Sequence, residues 1–311
     1  MAKCNIANFI PSTNYERNTN LRMWKAVKYL KLLIVPMVFN SCSESGSSMP
    51  PFIYENGKEV IIKHTIKSDT TIVLNHDSVD ILFPSGEVKG TILVLPGWNY
   101  SRKKCCKESS FCSKALSEGY ALVLPEMGKS IYASTVYSET RKDWLKFPQL
   151  KWVTDTLFSY ISEKAGLLKN GGTNFIFGIS TGGRGVALIL EHTSNLFKAG
   201  AALSGDYDQR LDTTDNLMKG VYGTYSKFKQ RWEGEDNALI NANKIKVPLY
   251  LGHGADDKIV PFVQTKQFCK KLSETNSSIK HVLHISENHG HDYTFWDSET
   301  DAVLRFFGEV N

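Results

Sequence analysis

Short apolar runs separated by stretches of helical period fill the chain from about residue 59 to residue 308. Their spacing predicts strands near 59–66, 70–83, 90–96, 120–125, 174–179, 199–204, 248–253 and 280–286. Helices are expected near 108–118, 148–165, 181–193, 262–274 and 298–308. Several of the strands, Gly90-Thr-Ile-Leu-Val-Leu95 among them, carry no polar alternation, the pattern of a strand buried on both faces.

One junction between a strand and a helix carries chemistry. The apolar run Asn174-Phe-Ile-Phe-Gly-Ile179 passes straight into Gly178-Ile-Ser180-Thr-Gly182 and then into the helical pattern that ends at Leu190. A serine hydroxyl is a weak nucleophile, so a fold that uses one presents Oγ clear of its neighbours, beside a base and at a helix N-terminus that stabilises an anion. Gly178 and Gly182 leave room for the tight turn this requires.

Other strand ends extend the pattern. Upstream, Gly90–Leu95 runs into Pro96-Gly97-Trp98-Asn99, the place for an amide that binds an oxyanion. Downstream, Val247-Pro-Leu-Tyr-Leu-Gly-His253 breaks into a loop with Asp256 and Asp257. Lys280-His-Val-Leu-His284 leads to a loop holding His289 and His291. The order is Ser, Asp, His, each at a strand's C-terminal end, where open α/β sheets place their sites.

On these motifs the chain resembles the α/β-hydrolase superfamily over roughly residues 85 to 308. Within it, the chain is similar to the prolyl oligopeptidase catalytic domain and to esterase D-like esterases. The resemblance implies a mostly parallel sheet flanked by helices. It implies Ser180 as nucleophile, His291 as general base, Asp257 as the acid that orients it, and the Trp98 and Thr181 N–H groups as oxyanion hole. Asp257 is chosen because His253-Gly-x-x-Asp257-x-x-Val-Pro261 is similar to the superfamily's acid loop; Asp256 is the second choice and Asp206 the third. His291 is preferred over His289 because Gly290-His291-Asp292-Tyr293 resembles the esterase loop. His289 and His291 as metal ligands would need a third ligand at a telling spacing, and none is seen.

The remaining polar residues of these segments have plainer readings. His253 is expected to pack in its loop, His281 and His284 to lie in core or on the surface, and Arg184 and Glu191 to sit on a helix surface or in a salt bridge. Glu126, just past a strand, should lie near the site.

The front of the chain is different in kind. Residues 1–41 hold six basic side chains against Glu16 alone, an excess that accounts for the whole net charge of +5. The remainder is balanced, which removes any argument for a nucleic-acid surface. A basic stretch from Arg22 to Lys31, the apolar run Leu32–Phe39 and then Asn40-Ser41-Cys42 resemble a lipoprotein signal peptide. Eight apolar residues broken by Pro36 are too few to cross a bilayer. Cys42 is the expected lipidated residue, with ordinary signal-peptidase cleavage nearby as the alternative, and the true start is placed at Met23 if residues 1–22 are an overextension. Residues 42–55 form a polar tether and 56–311 the α/β-hydrolase domain, with 206–246 as a small cap-like insertion.

That insertion brings Tyr207, Tyr222, Tyr225, Phe228 and Trp232, and two other loops bring Trp98, Tyr100, Tyr132, Tyr137 and Trp144. Such side chains stack on a sugar or aromatic acyl group, or pack the cap onto the sheet. Export permits disulfides, with Cys112 in reach of Cys105 or Cys106 and Cys269 also available; spacing does not fix the pairing. The expectation is an exported, membrane-anchored serine hydrolase of a Gram-negative bacterium that acts on a small-molecule or saccharide ester through an acyl-enzyme. No cofactor, metal or nucleic acid is implied. The alternatives are a stand-alone dipeptidyl or acylaminoacyl-type peptidase, a surface binding lipoprotein without turnover, and a metal-dependent deacylase.

Overall fold

The uninterrupted apolar strands assemble side by side, because a strand buried on both faces has no place except inside a sheet covered twice. The computed structural model describes residues 54–55, 58–59, 65–75, 77–144 and 147–310. A two-stranded antiparallel ribbon pairs β1 (Tyr54–Glu55) with β2 (Lys58–Glu59). The main sheet contains β3 (Thr70–Leu74), β4 (Asp77–Leu82), β5 (Gly90–Leu95), β6 (Tyr120–Pro125), β7 (Asn174–Ile179), β8 (Ala199–Leu203), β9 (Leu249–Gly254) and β10 (Val282–Ser286). Its spatial order is β10-β9-β8-β7-β5-β6-β4-β3, parallel throughout except for β4, which is antiparallel to both neighbours.

The helices are α1 (Lys104–Glu108), α2 (Phe111–Ser117), α3 (Gln149–Lys151), α4 (Phe158–Lys164), α5 (Thr181–His192), α6 (Asn216–Tyr222), α7 (Tyr225–Trp232), α8 (Ala238–Asn241), α9 (Val263–Thr275), α10 (Tyr293–Ser298) and α11 (Thr300–Glu309). A π-helical segment, Trp152–Leu157, joins α3 to α4. Period-two alternation divides the strands' side chains between two cores. Leu93, Leu95, Val123 and Ile176 pack with α4, α5 and α9 on one face; Ile92, Val94, Leu122 and Phe177 pack with α2, α10 and α11 on the other.

The fold is the α/β-hydrolase fold that the motifs imply, with four local differences. The run 70–83 is a hairpin, not one strand: the chain reverses after Leu74, where Asn75 takes φ 50°, a conformation asparagine tolerates. Of the strand expected at 59–66, only the end at Lys58–Glu59 is strand; Thr65 and Ile66 are irregular and 60–64 lie outside the described residues. The helix expected at 108–118 begins earlier and is broken at Ser109 and Ser110, whose polar groups take up local and tertiary hydrogen bonds. The last helix is preceded by α10, whose first amides are capped by Asp292.

The insertion at 206–246, expected as a small cap, contains α6, α7 and α8. Met218, Val221, Tyr222 and Trp232 pack on Ile131 and Ala133, with Trp98, Tyr137 and Trp144 at the margin. The described residues gather into one compact unit. The leader, Cys42 and most of the tether lie outside the described residues.

Candidate active site

Ser180 sits between the last residue of β7 and the first of α5, with φ 55° and ψ −125°, a conformation that side chains rarely adopt. Its N–H donates to Leu203 O on β8 at 2.8 Å, and its carbonyl accepts from Arg184 N–H at 3.2 Å as the helix begins. The two glycines of the turn are there because backbone touches backbone. A methyl group on Gly178 would overlap the Gly182 carbonyl, and one on Gly182 would overlap the Leu95 and Pro96 carbonyls. The turn therefore packs directly against the end of β5, bringing Gly97 within 3.2 Å of Ser180 Cβ for a Cβ placed on that glycine.

Three side chains from three strand ends meet in a line. Ser180 Oγ–H donates to His291 Nε2 at 2.8 Å, and His291 Nδ1–H donates to Asp257 Oδ2 at 2.6 Å. The serine is 8 % exposed, the histidine side chain 9 %, and the Asp257 carboxylate is sealed from solvent. A carboxylate on Nδ1 leaves Nε2 free to accept the serine proton.

The acid is held from every side. Burial would push the Asp257 carboxyl up, but hydrogen bonds from His253 and His291 and the backbone N–H of Val260 hold it well below the usual carboxylate range. Its Oδ1 accepts from Ile259 N–H and Val260 N–H, each at 2.8 Å. Asp257 is thus held as an anion beneath an imidazole, and by accepting from Nδ1 it orients His291.

The other expected residues fall out as follows. Trp98 stands on the β5 loop beside the serine turn and Thr181 is the first residue of α5; among the described residues neither backbone N–H has a protein acceptor. Two free amides next to Ser180, one of them at a helix N-terminus, can hold an oxyanion. Asp256 is exposed and away from the histidine, its N–H donating to His289 O. Asp206 pairs with Arg184 at 3.3 Å instead of with a histidine. His289 Nδ1 bonds Ser286 Oγ at 2.9 Å, so of the two loop histidines it is His291 that the structure brings to Ser180. Glu126 is tied to Arg102 at 3.2 Å, and the same guanidinium reaches Asp80 at 3.0 Å.

Arg184 takes the salt-bridge alternative, with Asp206, and not the surface one: it is fully buried, and its guanidinium donates to Ile131 O, Asp206 Oδ2, Gln209 Oε1, Tyr222 OH and Asp236 O. It ties α5 to the loop after β8 and to the cap. Glu191 is also buried; among the described residues its carboxyl has no hydrogen-bond partner, and burial pushes it well above the ordinary value. His284 pairs with Glu299 at 2.9 Å, while among the described residues the His281 ring has no hydrogen-bond partner and burial lowers it to about 4.

The aromatic residues divide in two. Tyr132, Tyr207, Tyr222 and Trp232 are completely buried and hold the cap to the sheet; they have no face to offer a ligand. Trp98 and Trp144, with centroids 4.9 Å apart at 77°, border the site on the cap side. Tyr100, Tyr293 and Trp296 border it on the histidine side, with Trp296 5.2 Å from His291. Sequence reasoning missed the Arg184 network and the capping role of Asp292. A lone arginine on an otherwise apolar helix face was the available signal for the first, and an Asp directly before a helical run was the signal for the second.

Residues 165–310, which contain all three members of the line, match the sequence profile of the prolyl oligopeptidase family. A curated relative, dipeptidyl aminopeptidase BIII of Pseudoxanthomonas mexicana, is 28% identical over 125 residues, which is 37% of this chain and 18% of that protein. The chain thus spans less than a fifth of the relative's length in that match. Among solved structures, an S-formylglutathione hydrolase from Agrobacterium tumefaciens superposes with a TM-score of 0.62 at 15% identity, covering 79% of this chain and 99% of that one. The fluorophosphonate-binding serine hydrolase FphF of Staphylococcus aureus gives 0.62 at 18%, covering 79% and 100%. These structures share the fold. With the family match over residues 165–310 and the assembled serine, histidine and aspartate, the chain is a hydrolase.

Proposed function

We propose that the chain cleaves an ester through an acyl-enzyme on Ser180. In this reading His291 takes the Ser180 proton as Oγ attacks the carbonyl and returns it to the leaving group. Asp257 orients the imidazole and stabilises the imidazolium, and the N–H groups of Trp98 and Thr181 receive the oxyanion. The observation that carries it is the continuous hydrogen-bonded line from Ser180 Oγ through His291 to the sealed Asp257 carboxylate. Deacylation repeats the cycle with water, and no step calls for a cofactor.

A carbohydrate or aromatic-acid ester suits the half-exposed Trp98, Trp144, Tyr100 and Tyr293 that border the serine from two sides. A dipeptidyl or acylaminoacyl-type peptidase is the second reading, favoured by the family match over residues 165–310 and by the aminopeptidase relative. A binding lipoprotein without turnover would have no use for a complete and connected triad. Export belongs to the same reading: the basic and apolar leader ending at Cys42 is supported by the disulfide between Cys106 and Cys112, a bond that an oxidising compartment sustains.

The test is to label the full chain with a fluorophosphonate and locate the adduct by peptide mass. Labelling at Ser180 that disappears in Ser180→Ala is expected, with a screen of acetylated sugars, feruloyl esters and aminoacyl amides to follow. A folded wild-type chain left unlabelled, or ester turnover undiminished in Ser180→Ala, would sink the nucleophile assignment.

A further inference from the structure

His253, near the end of β9, is a polar side chain in a strand that is otherwise apolar, and it is completely buried. Its Nε2 lies 2.9 Å from Val260 O and 3.1 Å from Asp257 Oδ2, and its Nδ1 lies 2.6 Å from Thr265 Oγ on α9. A carbonyl oxygen only accepts, so Nε2 bears the proton and is a forked donor to Val260 O and the carboxylate. In the neutral ring the Thr265 hydroxyl donates to Nδ1, which locks that tautomer. Asp257 Oδ2 therefore accepts from two imidazoles at once, His291 from one side and His253 from the other, while Oδ1 is filled by two backbone N–H groups.

We propose, resting on the assignment of Ser180, His291 and Asp257 as the catalytic set, that His253 is a positioning residue of the triad. It fixes the plane of the Asp257 carboxylate and takes up part of the charge on Oδ2, so that His291 is held in one orientation by an acceptor of limited basicity. The groups that bear on Asp257 are His253 from β9, the backbone of the loop after it and His291 from the loop before α10; Asp256, its neighbour, is exposed. Thr265 acts one step further out, by holding the His253 tautomer. The result is a chain of five side chains from Thr265 to Ser180, in which only the last three would touch the reaction.

A donor on Oδ2 has a consequence for pH dependence that a packed ring without that bond would lack. If His253 is withdrawn as a donor, Oδ2 is left with more charge to share with His291, the imidazolium becomes easier to form, and the base is disabled at a higher pH. The rate of Ser180 labelling by a fluorophosphonate, measured against pH on the full chain, reads that limb without knowledge of the substrate. In His253→Asn the acid limb should move up by about one pH unit and the plateau rate should fall about tenfold. In His253→Gln the limb should return to its wild-type position, because Gln Nε2 is as many bonds from Cα as the ring Nε2 is, whereas Asn Nδ2 stops one bond short. Thr265→Val should move the limb the same way by less. Melting temperature is recorded for each variant. An unmoved limb in His253→Asn, whatever its rate or melting temperature, overturns the proposal and leaves His253 as packing. If that variant does not fold, the Thr265→Val limb decides by the same criterion. A wild-type chain unlabelled at Ser180 overturns the triad assignment itself, and that result is visible before any variant is compared.

Discussion

Ser180 owes its position to residues that have no side chain. Its left-handed backbone, at φ 55°, aims Oγ out of the turn, and that conformation persists only because Gly178 and Gly182 let three backbone segments close around it. Gly182→Ala should therefore lower stability by ~1–3 kcal/mol, since the new methyl meets the Leu95 and Pro96 carbonyls, which belong to a buried strand end and cannot swing aside. The loss should be visible in urea denaturation, together with slower fluorophosphonate labelling of Ser180 as the turn and the Trp98 loop are pushed apart. Unchanged stability and labelling would mean that the turn is looser than its backbone contacts indicate. The serine, its two glycines, the acid and the histidine were all legible in the sequence, because each stands in a short motif at the end of an apolar run. The choice of Asp257 over Asp256 rested on resemblance. In the structure the adjacent residue is exposed and Asp257 is the one that faces His291, since neighbouring residues in a loop point to different sides.

Helix α5 is the element that joins chemistry to scaffold. Its N-terminus meets Ser180, its interior carries Arg184 into the cap network, and its last turn buries Glu191. Sequence periodicity marks the helix to within a residue of its end and leaves Arg184 and Glu191 between a solvent-facing stripe and an ion pair; Arg184 is in an ion pair, and both are buried. A helix covered by the sheet on one side and by α3, the π-helical segment and α8 on others has no such stripe, a fact that depends on how these segments fold back onto it. Burial raises Glu191 well above its ordinary value, so the folded chain keeps a proton that the unfolded chain releases near pH 4.3, roughly. Stability therefore falls as pH rises from that value through the raised one, because over this range the folded state holds more protons than the unfolded. Glu191→Gln cannot ionise, so its stability relative to wild type should improve between about pH 5 and about pH 8. Parallel melting curves at both pH values check this; a constant difference would show that Glu191 is not titrating out of register with the unfolded chain.

At the scale of the molecule, the parallel sheet gathers the ends of β5, β7, β9 and β10 along one edge, so that residues more than a hundred positions apart meet within hydrogen-bond distance. The proposed export is a property of this scale too, since it concerns where the whole chain resides. Cells fed labelled palmitate should incorporate it into the wild-type protein and not into Cys42→Ser; label retained by the variant, or absent from both, would remove the lipoprotein reading. The sequence by itself determined the strands that must be buried on both faces, the turn around Ser180, the order of the three catalytic candidates and the net positive charge carried by residues 1–41, because all of these are local patterns of residue type. Tertiary structure alone decided which cysteine joins Cys112, the burial of Arg184 and Glu191, the conversion of cap aromatics into core, and the second imidazole on Asp257. Those outcomes depend on which groups the folded backbone leaves facing each other once water is excluded, and no pattern of residue types records that.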